Sequence, residues 1–134
     1  MRLTDLSFGT GVDPRTLELE NEFPDGKPIY AASLSDRRLV VRATIFSPGR
    51  LPLRVQIRFL QGRTLLRASR NLDVVAHRRG FRVWCAINPG PSGLVPGKYR
   101  AEVWTSEGQL LGRQALLAIP GVPTDLRGGA TAKP

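Results

Sequence analysis

Leu53-Arg54-Val55-Gln56-Ile57-Arg58-Phe59-Leu60 carries an apolar side chain at every second position, with polar ones between as far as Arg58. Successive side chains of a strand point to opposite faces, so this stretch predicts a strand with one dry and one wet face. The same period recurs on both sides of it. Tyr99, Ala101, Val103 and Thr105 alternate with Arg100, Glu102 and Trp104; Phe81, Val83, Cys85 and Ile87 alternate with Arg82, Trp84 and Ala86. Upstream, Leu39, Val41, Ala43 and Ile45 alternate with Val40, Arg42, Thr44 and Phe46. No segment of helical length sustains apolar residues at i, i+3 and i+4. The 14 Gly and 11 Pro punctuate nearly every stretch, which argues against long helices.

Turn chemistry separates the strands. Ser47-Pro48-Gly49-Arg50 lies between two of them, Gln61-Gly62-Arg63 closes a short hairpin, Asn88 to Gly93 forms a longer loop, and Ser106-Glu107-Gly108 a tight one. Further strands are expected at Leu3–Phe8, Thr16–Glu20, Pro28–Ser33, Thr64–Ser69, Leu72–Ala76 and Gln109–Ile119. The spacing predicts an all-β, antiparallel two-sheet sandwich of seven to nine strands. It would occupy residues 29–120, after an arm of residues 1–28 with edge strands and before a flexible tail of residues 121–134.

One local motif sharpens the expectation. Gly93-Leu94-Val95-Pro96-Gly97-Lys98-Tyr99 resembles the L-x-P-G-x-Y approach to the penultimate strand of immunoglobulin-like and fibronectin type III-like domains. The stretch from Leu39 to Ile119 is similar to sandwich modules of bacterial multi-domain and envelope-associated proteins. The resemblance implies an immunoglobulin-like fold in which the Tyr99 hydroxyl bonds back to the preceding loop, with Pro96 and Gly97 shaping the corner. The paired cysteines of antibody domains are absent, since Cys85 is the single cysteine. A fold-level resemblance implies no function.

Charge is unevenly distributed along the 134 residues, whose formal net charge is +9. Residues 1–30 sum to −3, residues 31–100 to +12, and the remainder to zero. Arginine provides 17 of the 20 cations, and its planar fork suits protein interfaces as well as phosphates. The start, MRLTDLSFGTG, contains Asp5 and lacks the apolar run of a secretory leader. Ala115–Ile119 is too short to cross a bilayer, and a lone Cys85 fits a reducing compartment. The expectation is a cytoplasmic protein, including the cytoplasmic membrane surface, or a periplasmic one if a leader has been removed.

Little in the sequence points to chemistry. One His, one Cys and no paired ligand spacing leave no expected metal site, and Glu18, Glu20, Glu22 and Asp25 lack calcium-loop spacing. His77 with Asp73 four residues earlier is the nearest thing to a base, but Arg78 and Arg79 beside it work against that role. Cys85 falls on the inward face of its strand, where a free cysteine acts as a small hydrophobe. Gly93-x-x-x-Gly97-Lys98 is one residue short of a phosphate loop, and Pro14 breaks the pattern begun by Gly9 and Gly11. No catalytic residue and no cofactor is expected.

Surface recognition remains. The immunoglobulin-like strand order that the resemblance implies would pair the 53–60 strand with the 99–105 strand and gather Arg54, Gln56, Arg58, Arg100, Glu102 and Trp104 on one outer face. The other sheet would present Arg42, Thr44, Phe46, Arg82 and Trp84. Arginine and tryptophan are enriched at interface hot spots, so Arg54, Arg58, Arg100, Trp104, Arg82 and Trp84 are the candidate partner-binding residues. A cation–π pair that only stabilises the sheet is the competing explanation. The expected function is a non-catalytic interaction module, an accessory or scaffold subunit of a larger assembly. Its partner would be a protein with an acidic surface, with peripheral contact to an anionic membrane as an addition. Nucleic-acid binding through the basic surface is the alternative, and a ligand-binding envelope domain a third.

Overall fold

Eleven strands run through the residues that the computed structural model describes, which are 1–47, 49, 53–91 and 93–121. They are β1 (Arg2–Gly9), β2 (Gly11–Val12), β3 (Leu19–Glu20), β4 (Ile29–Tyr30), β5 (Leu39–Phe46) and β6 (Leu53–Gln61). Then follow β7 (Thr64–Ala68), β8 (Leu72–Val74), β9 (Phe81–Ile87), β10 (Gly97–Thr105) and β11 (Leu110–Ile119). A single 3-10 turn, Ala31–Leu34, interrupts the segment expected to be extended over Pro28–Ser33. Parts of the 47–50 turn and the 88–93 loop, and the tail from Val122 onward, lie outside the described residues.

Strand occupies 56% of the chain and helix 3%, which makes the protein all-β as the alternation predicts. The two-sheet, immunoglobulin-like sandwich is not what forms. A six-stranded sheet, β4-β11-β10-β6-β7 with β8 also on β6, curls into a half-barrel, and two small sheets, β1-β5-β9 and β2-β3, accompany it. Slips in register accompany the curl. The β10–β11 pairing slips between Val103 and Trp104, and the β6–β7 pairing slips between Phe59 and Leu60. A slip of this kind bends a strand and raises its twist. At one edge β6 is shared, with β8 along its first half and β7 along its second. At the other edge β4 joins β11 in parallel through Ala118↔Ile29 and Ile119↔Tyr30. A period-two pattern states which face of a strand is wet and says nothing about curl.

Inward residues of both larger sheets share one core. Leu39, Val41, Ala43 and Ile45 of β5 meet Val55, Ile57 and Phe59 of β6 and Ala101 and Val103 of β10, all essentially inaccessible. Phe59 stacks on Tyr99 at 5.3 Å between ring centroids and meets the edge of Phe8 at 6.4 Å. The Tyr99 hydroxyl donates to the carbonyl of Val95 in the preceding loop, and burial pushes its pKa up. The corner itself is therefore present without the sandwich that the resemblance implied around it. On one flank β1 packs on β11, and the approach is close enough that a Cβ on Gly112 would sit 2.6 Å from Leu3 Cδ2. On the opposite flank β8 approaches β9, and a groove opens between β9 and the β7–β8 edge.

Candidate functional site

The six surface residues singled out from sequence divide into two environments. On the outer face of β6 and β10, cross-strand register sets Glu102 opposite Arg58 and Trp104 opposite Gln56. The Arg58 guanidinium lies over the Trp104 ring at 5.0 Å from its centroid, and its Nε donates to Gln56 Oε1 at 2.8 Å. Arg100 Nε donates to Glu102 Oε2 at 2.8 Å, and Trp104 Nε1 donates to Glu102 Oε1 at 3.0 Å. Glu102 is thus a buried carboxylate with both oxygens engaged. Burial alone would raise its pKa, but the hydrogen bonds from Arg100 and Trp104 and the charges of Arg100 and Arg113 outweigh that and hold it below its usual value. Arg54 pairs with Asp73 at 3.2 Å across the exposed edge. Arginines and tryptophan on this face engage one another.

Arg82 and Trp84 stand elsewhere, on β9, which pairs with β5 so that Trp84 faces Arg42 and Arg82 faces Thr44. Arg42 is not free. Its guanidinium pairs with Asp5 at 3.1 Å and donates to the Leu17 carbonyl at 3.2 Å. Arg82 donates to the Thr16 carbonyl at 2.9 Å, a neutral partner that leaves its charge uncompensated. Trp84 is 38% exposed, with Arg38 at 5.9 Å from its ring.

Between β9 and the β7–β8 edge runs an open groove of about 840 Å³. Its walls bring Arg82 and Trp84 together with Arg38, Arg67 and Arg70, and its only acid is Asp73, the partner of Arg54. Among the described residues none of these four arginines is in an ion pair. The local chain explains the geometry. β7 ends at Ala68 and β8 begins at Leu72, and the buried Ser69 fills the break between them. Its N–H donates to the Ile57 carbonyl at 2.8 Å, and its hydroxyl accepts from Ile57 N at 2.9 Å. With Ser69 locked onto β6, Arg67 and Arg70 project from either side of it into the groove. A cleft lined by one sign of charge with low-dielectric walls concentrates its field.

The groove floor includes Cys85, whose pKa is pushed up by burial while the Arg67 guanidinium acts in the opposite direction. A raised thiol pKa makes it a poor nucleophile. His77 lies exposed in the turn after β8, with Nδ1 accepting from Arg79 N at 3.2 Å. Among the described residues no three His, Cys, Asp or Glu side chains gather as metal ligands would, and no helix is long and apolar enough to cross a membrane. Arg38, Arg67 and Arg70 escaped the sequence reading. Arg67 lies in β7, Arg38 just before β5 and Arg70 in the β7–β8 break, and nothing local signals that they line one groove with β9, since that depends on how the two sheets meet.

No protein-family model matches the chain, and no curated protein matches it in a sequence comparison.

Proposed function

We propose that this protein is a non-catalytic docking module, an accessory or scaffold component that binds an acidic protein partner through its arginine-lined groove. The observation that carries this reading is the charge balance of the groove. Arg38, Arg67, Arg70 and Arg82 line one groove with an exposed Trp84, and the single acid there among the described residues is already paired. Uncompensated arginines beside an accessible tryptophan offer charge-assisted hydrogen bonds and a large desolvatable contact together. The outer face of β6 and β10 contributes stability, because Glu102 holds Arg100 and Trp104, and Arg58 is held by Gln56 and the Trp104 ring.

Titration with poly-L-glutamate and with single-stranded DNA tests the reading. Saturable polyglutamate binding is expected, weakened at least tenfold by the pair Arg67→Glu and Arg70→Glu. DNA should bind more weakly, because nucleic-acid grooves stack successive bases on several aromatic rings and this one offers only Trp84. Polyglutamate binding that ignores both substitutions, or DNA binding tighter than polyglutamate, overturns it.

A further inference from the structure

The groove is bounded by strand edges as well as by charge. β9 is the outer strand of the three-stranded sheet, so the backbone groups of alternate residues from Phe81 to Ile87 face away from β5 and toward the groove. The other edges are blunted or covered in ways that natural sheets use against unwanted pairing, and β1, the opposite edge of this sheet, slips in register between Leu3 and Asp5 and packs on β11. β4 has two residues and follows Pro28, while β7 and β8 are broken apart by Ser69-Arg70-Asn71 and carry a register slip. β9 has no such break along its own length, and β8 approaches it to within 8 Å over only part of that length. Its seven residues contain no Gly or Pro, and its register with β5 runs without a slip from Leu39↔Ile87 to Ile45↔Phe81.

We infer that the acidic partner enters as an extended segment that adds a fourth strand to the β1-β5-β9 sheet along β9. This rests on the docking role proposed above and specifies its mode. Side chains of an added strand would share faces with those of β9 in alternation. One face meets Arg82 and Trp84 and calls for carboxylates. The other meets Val83 and Cys85 and calls for small apolar groups. Arg67 and Arg70 close over the segment from the facing wall. The ligand class is therefore a peptide of alternating acidic and β-branched residues, about seven residues or ~23 Å long. Main-chain hydrogen bonds give affinity, and the arginines select the sign of charge.

The test uses an acetylated, amidated octapeptide of Glu-Val repeats and two versions of it, N-methylated at alternate residues in opposite phase. N-methylation removes strand hydrogen bonds on one edge and leaves side-chain charge intact. One phase should weaken binding at least tenfold and the other by less than threefold, and amides of β9 that face the groove should gain protection from hydrogen exchange. Equal affinity of the two N-methylated peptides overturns strand addition while leaving acidic docking standing. No binding of the unmodified peptide, or tighter binding of single-stranded DNA, overturns both.

Discussion

Two surfaces of this protein use the same side chains to opposite ends. On β6 and β10, Arg100 and Trp104 both donate to Glu102, and Arg58 lies over the Trp104 ring with its Nε on Gln56. In the groove, Arg38, Arg67, Arg70 and Arg82 share the walls with Trp84, with no carboxylate in pairing distance among the described residues. The first surface is finished and the second is incomplete. An arginine beside a tryptophan is therefore not itself a sign of recognition. What distinguishes the first is a buried carboxylate, Glu102, that accepts from both an arginine and the tryptophan.

Removing Glu102 should break the first surface and spare the second. Glu102→Ala strands the Arg100 and Trp104 donors, and hydrogen bonds to charged groups contribute about 1.5–3 kcal/mol each. The expected loss in urea-unfolding free energy is about 2–3 kcal/mol, with affinity for the Glu-Val octapeptide unchanged within twofold. Trp84→Ala should do the reverse. Affinity falls about tenfold, equivalent to about 1.4 kcal/mol, while stability moves by less than ~0.5 kcal/mol because the ring is partly exposed and outside the core. Equal effects of Trp84→Ala and Trp104→Ala on binding would erase the distinction.

Acid titration sharpens the contrast further. The folded carboxyl of Glu102 has a depressed pKa, so its contribution is fully present above the usual value of 4.5 and is lost as pH falls through the lower folded value. Glu102→Gln should flatten the fall of stability with pH below 4.5, followed by circular dichroism. An unchanged profile would mean that the carboxylate is not the anchor of that face. The smallest effect is expected at Arg54→Ala. Its pair with Asp73 is largely exposed on both sides, so stability should change by ~0.5 kcal/mol or less. Freeing Asp73 at the groove wall should still weaken octapeptide binding by up to about twofold.

The strands themselves were legible because burial follows alternation so closely. Val55, Ile57 and Phe59 are buried while Arg54 is exposed, and Gly62 sits in the hairpin turn at a φ of 60°. The pairing of β6 with β10 matches the strand order that the resemblance implied, although the sandwich around it does not form. The extended reading of Pro28–Ser33 failed at Ala31–Leu34, where the chain turns tightly and Gly93 packs on it. Gly93 has a φ of 74°, and any Cβ there would strike the Ala31 carbonyl oxygen. That contact joins segments far apart in sequence, and neither segment announces it.

Sequence alone determined that this chain is built of strands, which side of β6 and β9 is dry, and that its middle is strongly basic; β5, read as half wet, is buried on both faces at Val40 and Thr44. Those properties are local: they follow from side-chain alternation and from counting charges. Tertiary structure decided the curl of the six-stranded sheet, the internal pairing of one arginine face, and the assembly of Arg38, Arg67, Arg70 and Arg82 in one groove with Trp84. These depend on where slips in register bend the strands and on which sheet edges face each other. Both are set by packing between segments dozens of residues apart.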